Sequence, residues 1–265
     1  MRIIGQQKLL SKINSYTNST LPKTMFFCGE AGCGKHHFIK YIAEQFNLDL
    51  VEIDENITND QLIEYSQKAI PTLYIIDLIK FTDKQQNQFL KFIEEPAQSV
   101  YTALLASSEA GILPTILNRC IKYHFEPYSP AELKEISGFT ESEDNKIYKI
   151  CNTPGKLVSE SASNIQAVYD LCNLLVHQIQ NASWSNTLKI VTQINYKENY
   201  NKFNFNLFLD TLEFVSFEAY KNEKLENGFL IYLITNKAKQ ELINKNVAKE
   251  NFMLNFITKL WKETR

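Results

Sequence analysis

Three glycines and a lysine occur together near the start of the chain, at a spacing typical of a phosphate-binding loop. The pattern G-x-x-x-x-G-K-[ST] begins at Gly29 and reaches Gly34 and Lys35, with Gly32 as a further glycine inside it. Glycines let backbone N–H groups converge on one point, the following helix adds its positive end, and Lys35 adds a full charge. The last position carries His36 instead of a hydroxyl that binds magnesium. The spacing predicts a nucleotide-phosphate site with compromised metal binding.

Asp77 is the second candidate, because it ends an apolar, β-favouring run that starts at Thr72. A buried parallel strand with this pattern brings a carboxylate to the C-terminal edge of a sheet, where ligands bind. Two interpretations stay open: Asp77 binds a residual metal ion, or it only forms hydrogen bonds at the strand end. The glycine loop has a similar alternative, a retained structural turn that holds no nucleotide.

Composition limits the classes of protein that fit. The 265 residues are 44% hydrophobic and 22% charged, which is enough for a sizeable core in a soluble protein of two or three domains. The net charge of -2 gives no overall basic field for nucleic acid. No run of eighteen apolar residues and no secretory leader pattern is found, so we expect a cytoplasmic chain without membrane contact. The five cysteines are scattered and odd in number, which predicts free thiols and no zinc site.

The predicted secondary structure changes along the chain from alternating strands and helices to helices alone. Strands predicted at Thr24–Cys28, 48–53, Thr72–Asp77 and Tyr101–Ala106 are separated by helical patterns, which indicates βαβ units and a parallel sheet. We therefore predict an α/β domain over 1–125 and a small helical domain over 126–163. An all-helical domain over 164–265 would contain five helices: Asn164–Ile179, Ser185–Ile194, Asn204–Lys221, Gly228–Lys245 and Lys249–Lys262.

Four stretches together resemble the clamp-loader branch of the AAA+ ATPases, in the order and approximate spacing of that family. They are the glycine loop, then Tyr74–Asp77 with Gln86–Pro96, then Leu113–Cys120, and finally Thr153–Lys156. The run that ends in Glu-Glu-Pro and the run that ends in Asn-Arg-Cys are far more specific than a lone phosphate loop. The resemblance implies an AAA+ P-loop domain, a helical lid and a helical collar that mediates oligomerisation. Within the family, the subunit of bacterial DNA polymerase III called delta-prime is the nearest in pattern.

Against the pattern of the family's active ATPases, three positions differ. His36 lacks the magnesium-binding hydroxyl, Leu78 stands where a glutamate orients and deprotonates water, and Val158 stands where a sensor arginine is expected. A hydroxyl survives at Ser107 or Ser108. The resemblance therefore implies a chain that holds ATP or ADP weakly, through Gly29, Gly32, Gly34, Lys35 and Asp77, and has no ATPase activity of its own.

Arg119 is the residue to which the resemblance gives a catalytic role. In related clamp loaders the arginine of this motif enters the ATP site of the neighbouring subunit, although here Asn118 replaces the serine before it. The implied partners are the gamma or tau ATPase, the delta subunit, the sliding clamp and primer-template DNA. An internal ion pair of Arg119 with Glu94 or Glu95 is the structural alternative.

Two further functions remain open at this stage. An active ATPase subunit of the gamma or tau type would have to tolerate His36 and Leu78. A different P-loop protein, such as a small-molecule kinase, would require the Glu-Glu-Pro and Asn-Arg-Cys runs to be coincidences. His37 and His124 have no spaced partners and are expected to be ordinary surface or strand residues.

Overall fold

The computed structural model describes residues 2–138, 146–181, 204–222, 227–244 and 249–264. The chain divides into two compact units. The first comprises Met1–Gly138 with Asn152–Gly155, and the second comprises Phe139–Cys151 with Lys156–Arg265. The domain boundaries predicted from the sequence, 1–125, 126–163 and 164–265, remain predictions.

Five parallel strands form one sheet in the first unit, in the order β2-β3-β4-β1-β5. The predicted parallel α/β architecture is confirmed, and β5 is a strand that the sequence pattern did not predict. The strands are β1 (Thr24–Cys28), β2 (Asp49–Glu52), β3 (Thr72–Asp77), β4 (Val100–Ala106) and β5 (Ile121–His124).

Six α-helices and a short 3-10 helix, Leu78–Lys80, are described in the first unit, and three of the α-helices begin with a capping box. At α4 the N–H of Thr82 donates to Gln85 Oε1 over 3.0 Å. At α6 the side chain of Ser129 accepts from the N–H of Glu132, as the predicted capping residues require. The helices are α1 (Gln7–Asn14), α2 (Lys35–Phe46), α3 (Asn59–Ser66), α4 (Asp83–Glu94), α5 (Pro114–Leu117) and α6 (Pro130–Ser137).

The sheet is covered on both faces because its central strands, β1, β3 and β4, are apolar at most positions and buried along nearly their whole length. Phe27 of β1 packs with Phe38 and Ile42 of α2 in one cluster. Its neighbour Phe26 points to the opposite face, into a cluster that includes Phe89 of α4. Successive strand residues alternate between faces, so a continuous apolar run produces two cores. Because the sheet is packed on both faces, the edge at which β1, β3 and β4 end is held rigidly in place.

The second unit is helical in all its described elements. They are α7 (Lys146–Ile150), α8 (Pro154–Val158), whose first two residues belong to the first unit, α9 (Ala162–Asn181), α10 (Phe205–Lys221), α11 (Gly228–Asn244) and α12 (Lys249–Glu263). Four of the five predicted C-terminal helices are confirmed, and the one at Ser185–Ile194 lies outside the described residues. Among the helices described, none combines the length and the apolar character needed to cross a membrane.

A charged cluster lies inside the helical unit. Asp210 of α10 is 13% exposed and forms ion pairs with Lys156 over 2.9 Å and with Lys239 over 2.5 Å. Burial alone would lower the pKa of Lys239, but hydrogen bonds to Asp210 and Glu213 outweigh it, so the pKa is raised. The cluster therefore keeps its charges paired inside a helical core.

Candidate functional site

The phosphate loop links the end of β1 to the start of α2. Gly32 and Gly34 have φ angles of 80° and 92°, a region that residues with a Cβ rarely adopt. Gly34 is the N-cap of α2, and its carbonyl accepts from the N–H of Phe38 over 2.9 Å. In the described chain, the N–H groups of Gly32 and Gly34 donate to no acceptor. The loop therefore keeps the backbone donors that an anion would need.

Lys35 is folded back onto the loop that precedes it. Its Nζ donates to the carbonyl of Gly29 over 2.5 Å and to that of Glu30 over 3.1 Å. An ammonium group has three N–H donors, so these two carbonyls occupy two of them. The loop thus has the glycines and the lysine of a phosphate site, but the lysine already donates to carbonyls of the loop itself.

The loop is also held by residues that follow β5. The hydroxyl of Tyr128 donates to the carbonyl of Cys33 over 3.0 Å, and the N–H of Gly155 donates to the carbonyl of Gly32 over 2.8 Å. A Cβ on Gly155 would lie 2.7 Å from the Gly32 Cα, so two backbones meet there without side chains between them. The Thr153–Lys156 stretch picked out from the sequence therefore packs its glycine on the phosphate loop.

His36 places an imidazole at the position of the missing hydroxyl. Its Nε2 lies 3.9 Å from Glu52 Oε1, and the same oxygen lies 3.7 Å from Lys80 Nζ. An imidazole and an ammonium thus share one carboxylate close to the loop. Across the described residues, no group of three or more His, Cys, Asp or Glu side chains is arranged to hold a metal ion. These residues fit a phosphate better than they fit hydrated magnesium, which prefers oxygen ligands.

Asp77 ends β3 at the same sheet edge as the phosphate loop, with β4 between them. The next residue, Leu78, is 0% exposed and belongs to the core that also contains Phe81. A buried leucine has no group that can accept a proton from water. Ser107 and Ser108 directly follow β4, as predicted, so a hydroxyl is available there.

Arg119 follows α5 and pairs with one of the two carboxylates considered from the sequence. Its Nη2 lies 2.6 Å from Glu94 Oε1, and its Nη1 donates to the carbonyl of Thr115 over 2.7 Å. The Arg119 and Glu94 side chains are each 40% exposed. The guanidinium is thus at the surface with two of its five N–H groups engaged.

The remaining predicted positions provide no charged or reactive group. Val158, at the expected sensor position, is exposed and carries no charge. All five cysteines are free thiols. Burial raises the pKa of the Cys120 thiol to about 12 and raises that of Cys33, although Lys35 opposes the second shift. These thiols stay protonated near neutral pH and are poor nucleophiles.

Sequence reasoning missed Glu52, Lys80 and Tyr128. Glu52 ends the short strand β2, and the only available signal was a carboxylate at a strand end, as for Asp77. Tyr128 lies in a segment with no motif, so nothing in the sequence indicated its hydrogen bond to the loop.

Comparison with known proteins finds similarity to subunits of DNA polymerase III and to the replication factor C small subunit. A family model described as "DNA polymerase III, delta subunit" matches residues 51–129, which contain Asp77, Glu94 and Arg119. The replication factor C small subunit of Methanoregula boonei is 24% identical over 150 residues, which are 50% of this chain and 47% of that protein.

Two subunits of DNA polymerase III from Buchnera aphidicola subsp. Baizongia pistaciae also match. The gamma subunit is 25% identical over 183 residues, 56% of this chain and 50% of the relative. The delta' subunit is 32% identical over 95 residues, 36% of this chain and 28% of the relative. The chain spans about half the length, or less, of the curated relatives it matches.

Solved structures with the same fold extend over most of the chain. A gamma subunit-related protein of DNA polymerase III from Thermotoga maritima superposes with a TM-score of 0.52 at 13% identity, covering 98% of this chain and 99% of its own. The RuvB Holliday junction branch migration motor of Thermotoga maritima gives a TM-score of 0.51 at 14% identity, covering 82% and 76%. The resemblance to the clamp-loader branch is confirmed, and so is the AAA+ fold with its helical C-terminal part.

Proposed function

We propose that this chain, a relative of the clamp-loader subunits of DNA polymerase III, is a subunit of the delta-prime type. It helps to load a sliding clamp on primed DNA without hydrolysing ATP, and it supplies Arg119 to the ATP site of a neighbouring subunit. The family match over 51–129 and the delta' relative support this assignment.

The observation that carries the proposal is the buried Leu78 beside Asp77. ATP hydrolysis needs a group that orients the attacking water and accepts its proton, and a fully buried leucine provides neither. His36 removes the magnesium ligand, and Val158 removes the sensor charge. These three losses affect the same reaction, so compensation at one position would not restore turnover.

The phosphate loop keeps a role in weak nucleotide binding. Gly29, Gly32, Gly34 and Lys35 would surround the phosphates of ATP or ADP, and Asp77 would lie beside them. Bound ATP would stay intact, and its γ-phosphate would serve only as a group for the loop to bind. Loop carbonyls already accept from two of the three Lys35 N–H donors, and the site lacks the charge compensation of a well-held magnesium ion. Low affinity is therefore the expected result.

Arg119 has the chemistry that a neighbour's ATP site requires. Its planar, permanently charged guanidinium can neutralise charge that develops on a transferred phosphoryl group. A finger of this kind contributes about 10³ to 10⁵ in rate. The side chain is partly exposed at the end of a short helix, where another subunit can approach it.

The partners in this proposal are the other clamp-loader subunits, namely the gamma or tau ATPase and delta, with the sliding clamp and primer-template DNA bound through the complex. The helical part of the chain, 164–265, would form the collar that joins the subunits. The net charge of -2 fits a chain that meets DNA as part of an assembly and not through an overall basic field.

An active ATPase subunit of the gamma or tau type is the second candidate. The gamma relative, which matches over more residues than the delta' relative, favours it. His36, Leu78 and Val158 oppose it, because each removes a group that hydrolysis uses.

A steady-state ATPase assay on the purified chain separates the two candidates. We expect no phosphate release above background and weak or undetectable ATP binding. Turnover at a rate typical of ATPases, abolished by Lys35→Ala, would establish the second candidate in place of the first.

The finger role is tested in a reconstituted complex that carries Arg119→Ala. We expect the complex to assemble and its DNA-stimulated ATPase to slow by about 10³ or more, with poor rescue by Arg119→Lys, since an ammonium does not reproduce the fork. Arg2→Ala is the matched control, because Arg2 also forms a surface ion pair with a glutamate, Glu135. Unchanged ATPase in Arg119→Ala would make Arg119 a structural residue.

A further inference from the structure

Glu94 is the last residue of α4, and its carboxylate holds the side chain of Arg119. A helix ends with unpaired carbonyl groups and a partial negative charge, so a carboxylate at that place is unfavourable unless a cation lies close by. No basic group other than Arg119 forms an ion pair with Glu94 within the described ranges. Arg119 therefore compensates a carboxylate that its own subunit places against it.

The same guanidinium is held a second time by backbone. The Thr115 carbonyl that accepts from Arg119 Nη1 lies four residues earlier, in α5. One N–H of Nη1 and one of Nη2 are thus used inside the subunit, and the Glu94 carboxylate cancels the positive charge. In this arrangement the guanidinium cannot present its full charge to a phosphate.

We propose that Glu94 is a positioning residue that retains Arg119 on its own subunit and competes with the neighbour's phosphate for the guanidinium. The inference rests on the proposed finger role of Arg119. Both side chains are 40% exposed, and exposed pairs of this kind shift an equilibrium by no more than about five-fold. A phosphate contact worth about 10³ to 10⁵ in rate overcomes such a pair. Glu94 thus keeps the finger ordered before assembly at a small cost to the final contact.

The test is Glu94→Gln in the reconstituted complex, measured by ATPase activity at subsaturating ATP with clamp and primed DNA. Removing the competing charge should raise the activity by about two- to five-fold. The gain should shrink as salt rises, because salt screens the pair in the unmodified chain. Glu95→Gln is the matched control. Glu95 is the next residue, its side chain is exposed, and it forms no ion pair among the described residues, so this variant removes the same charge without touching Arg119. Unchanged or slower ATPase in Glu94→Gln would overturn the inference.

Two further variants separate this inference from the proposed function. In an Arg119→Ala background, Glu94→Gln should have no effect, because the residue acts only through the arginine. If Arg119→Ala slows the ATPase and Glu94→Gln does not accelerate it, the finger role of Arg119 is supported and the retaining role of Glu94 is rejected. If Arg119→Ala changes nothing, the finger fails and the retaining role fails with it. Glu94→Asp, which keeps the charge but shortens the reach, should give an intermediate gain, whereas a gain equal to that of Glu94→Gln would contradict competition by the paired charge.

Discussion

His36 replaces an oxygen ligand with an imidazole at the position where the phosphate loop would meet magnesium. Glu52 and Lys80 lie within 4 Å of each other around that imidazole, so a cation of the protein itself is already present near the loop. Because an imidazole is a poor ligand for magnesium, we propose that the loop contacts phosphate weakly and without a metal ion.

His36→Thr should restore part of the metal dependence. We expect magnesium to strengthen ATP binding in this variant by several-fold, because a hydroxyl returns to the metal's coordination shell. Turnover should stay at background, since Leu78 is unchanged. Nucleotide titration with and without magnesium measures the effect.

The matched control is His37→Thr, which changes an exposed imidazole one position further along the same helix. It should leave nucleotide binding as in the unmodified chain. An equal gain from both variants would show that the site at residue 36 is not the metal position.

At this scale the sequence identified residues but not their contacts. It offered Glu94 and Glu95 equally as partners of Arg119. Glu94 ends α4 and Glu95 follows it in a non-helical conformation, so the way the chain leaves the helix selects between them. It gave no sign that Lys35 would bind the Gly29 and Glu30 carbonyls, since backbone acceptors carry no sequence signature.

The elements that position the site were largely predictable, because the central strands are apolar at most positions and three helices begin with a capping box. β5 was missed for a physical reason. It is a four-residue edge strand in which only Tyr123 is buried, so its pattern resembles that of a loop. The contact between the phosphate loop and Gly155 was missed because close backbone approach depends on tertiary packing.

Gly155→Ala tests the contact between these two elements. A Cβ would lie 2.7 Å from the Gly32 Cα and 3.1 Å from its carbonyl oxygen, and backbone cannot yield as a flexible side chain can. We expect the free energy of unfolding to fall by about 1 to 3 kcal/mol, as in overpacked cores. Urea denaturation provides the measurement.

Gly111→Ala sets the scale for this variant, because it carries a backbone penalty at φ +83° but meets no atom within 4 Å. Its cost should be about 1 to 2 kcal/mol, the penalty for a left-handed backbone with a Cβ. If Gly155→Ala costs less than Gly111→Ala, the two backbones separate easily and the contact does not stabilise the loop.

On the scale of the whole molecule, the helical unit exposes an apolar surface that its own core does not use. The exposed patch, as we call it, consists of side chains on α10 and α11 that are 43% to 47% exposed: Phe217, Tyr220, Phe229 and Leu233. Ring contacts join the two helices across it, with centroids 5.4 Å apart for Tyr220 and Phe229. Adjacent apolar side chains of this size mark a surface that associates with another protein.

The proposed partner of the exposed patch is the helical domain of a neighbouring clamp-loader subunit. Aromatic side chains contribute strongly to such interfaces, and truncating one that is buried there commonly weakens binding by ten-fold or more, or about 1.4 kcal/mol. The double variant Phe217→Ser and Phe229→Ser should therefore fail to co-elute with partner subunits at concentrations where the unmodified chain does. Because both side chains are already exposed, its thermal unfolding should change little.

Leu254→Ser provides the comparison that makes this result specific. Leu254 is 45% exposed on α12, outside the exposed patch, so its replacement lowers surface hydrophobicity without touching the proposed interface. Loss of co-elution in the double variant alone would tie assembly to α10 and α11. Equal loss in both variants would indicate a general dependence on hydrophobic surface, and retained co-elution in both would place the assembly interface on another part of the chain.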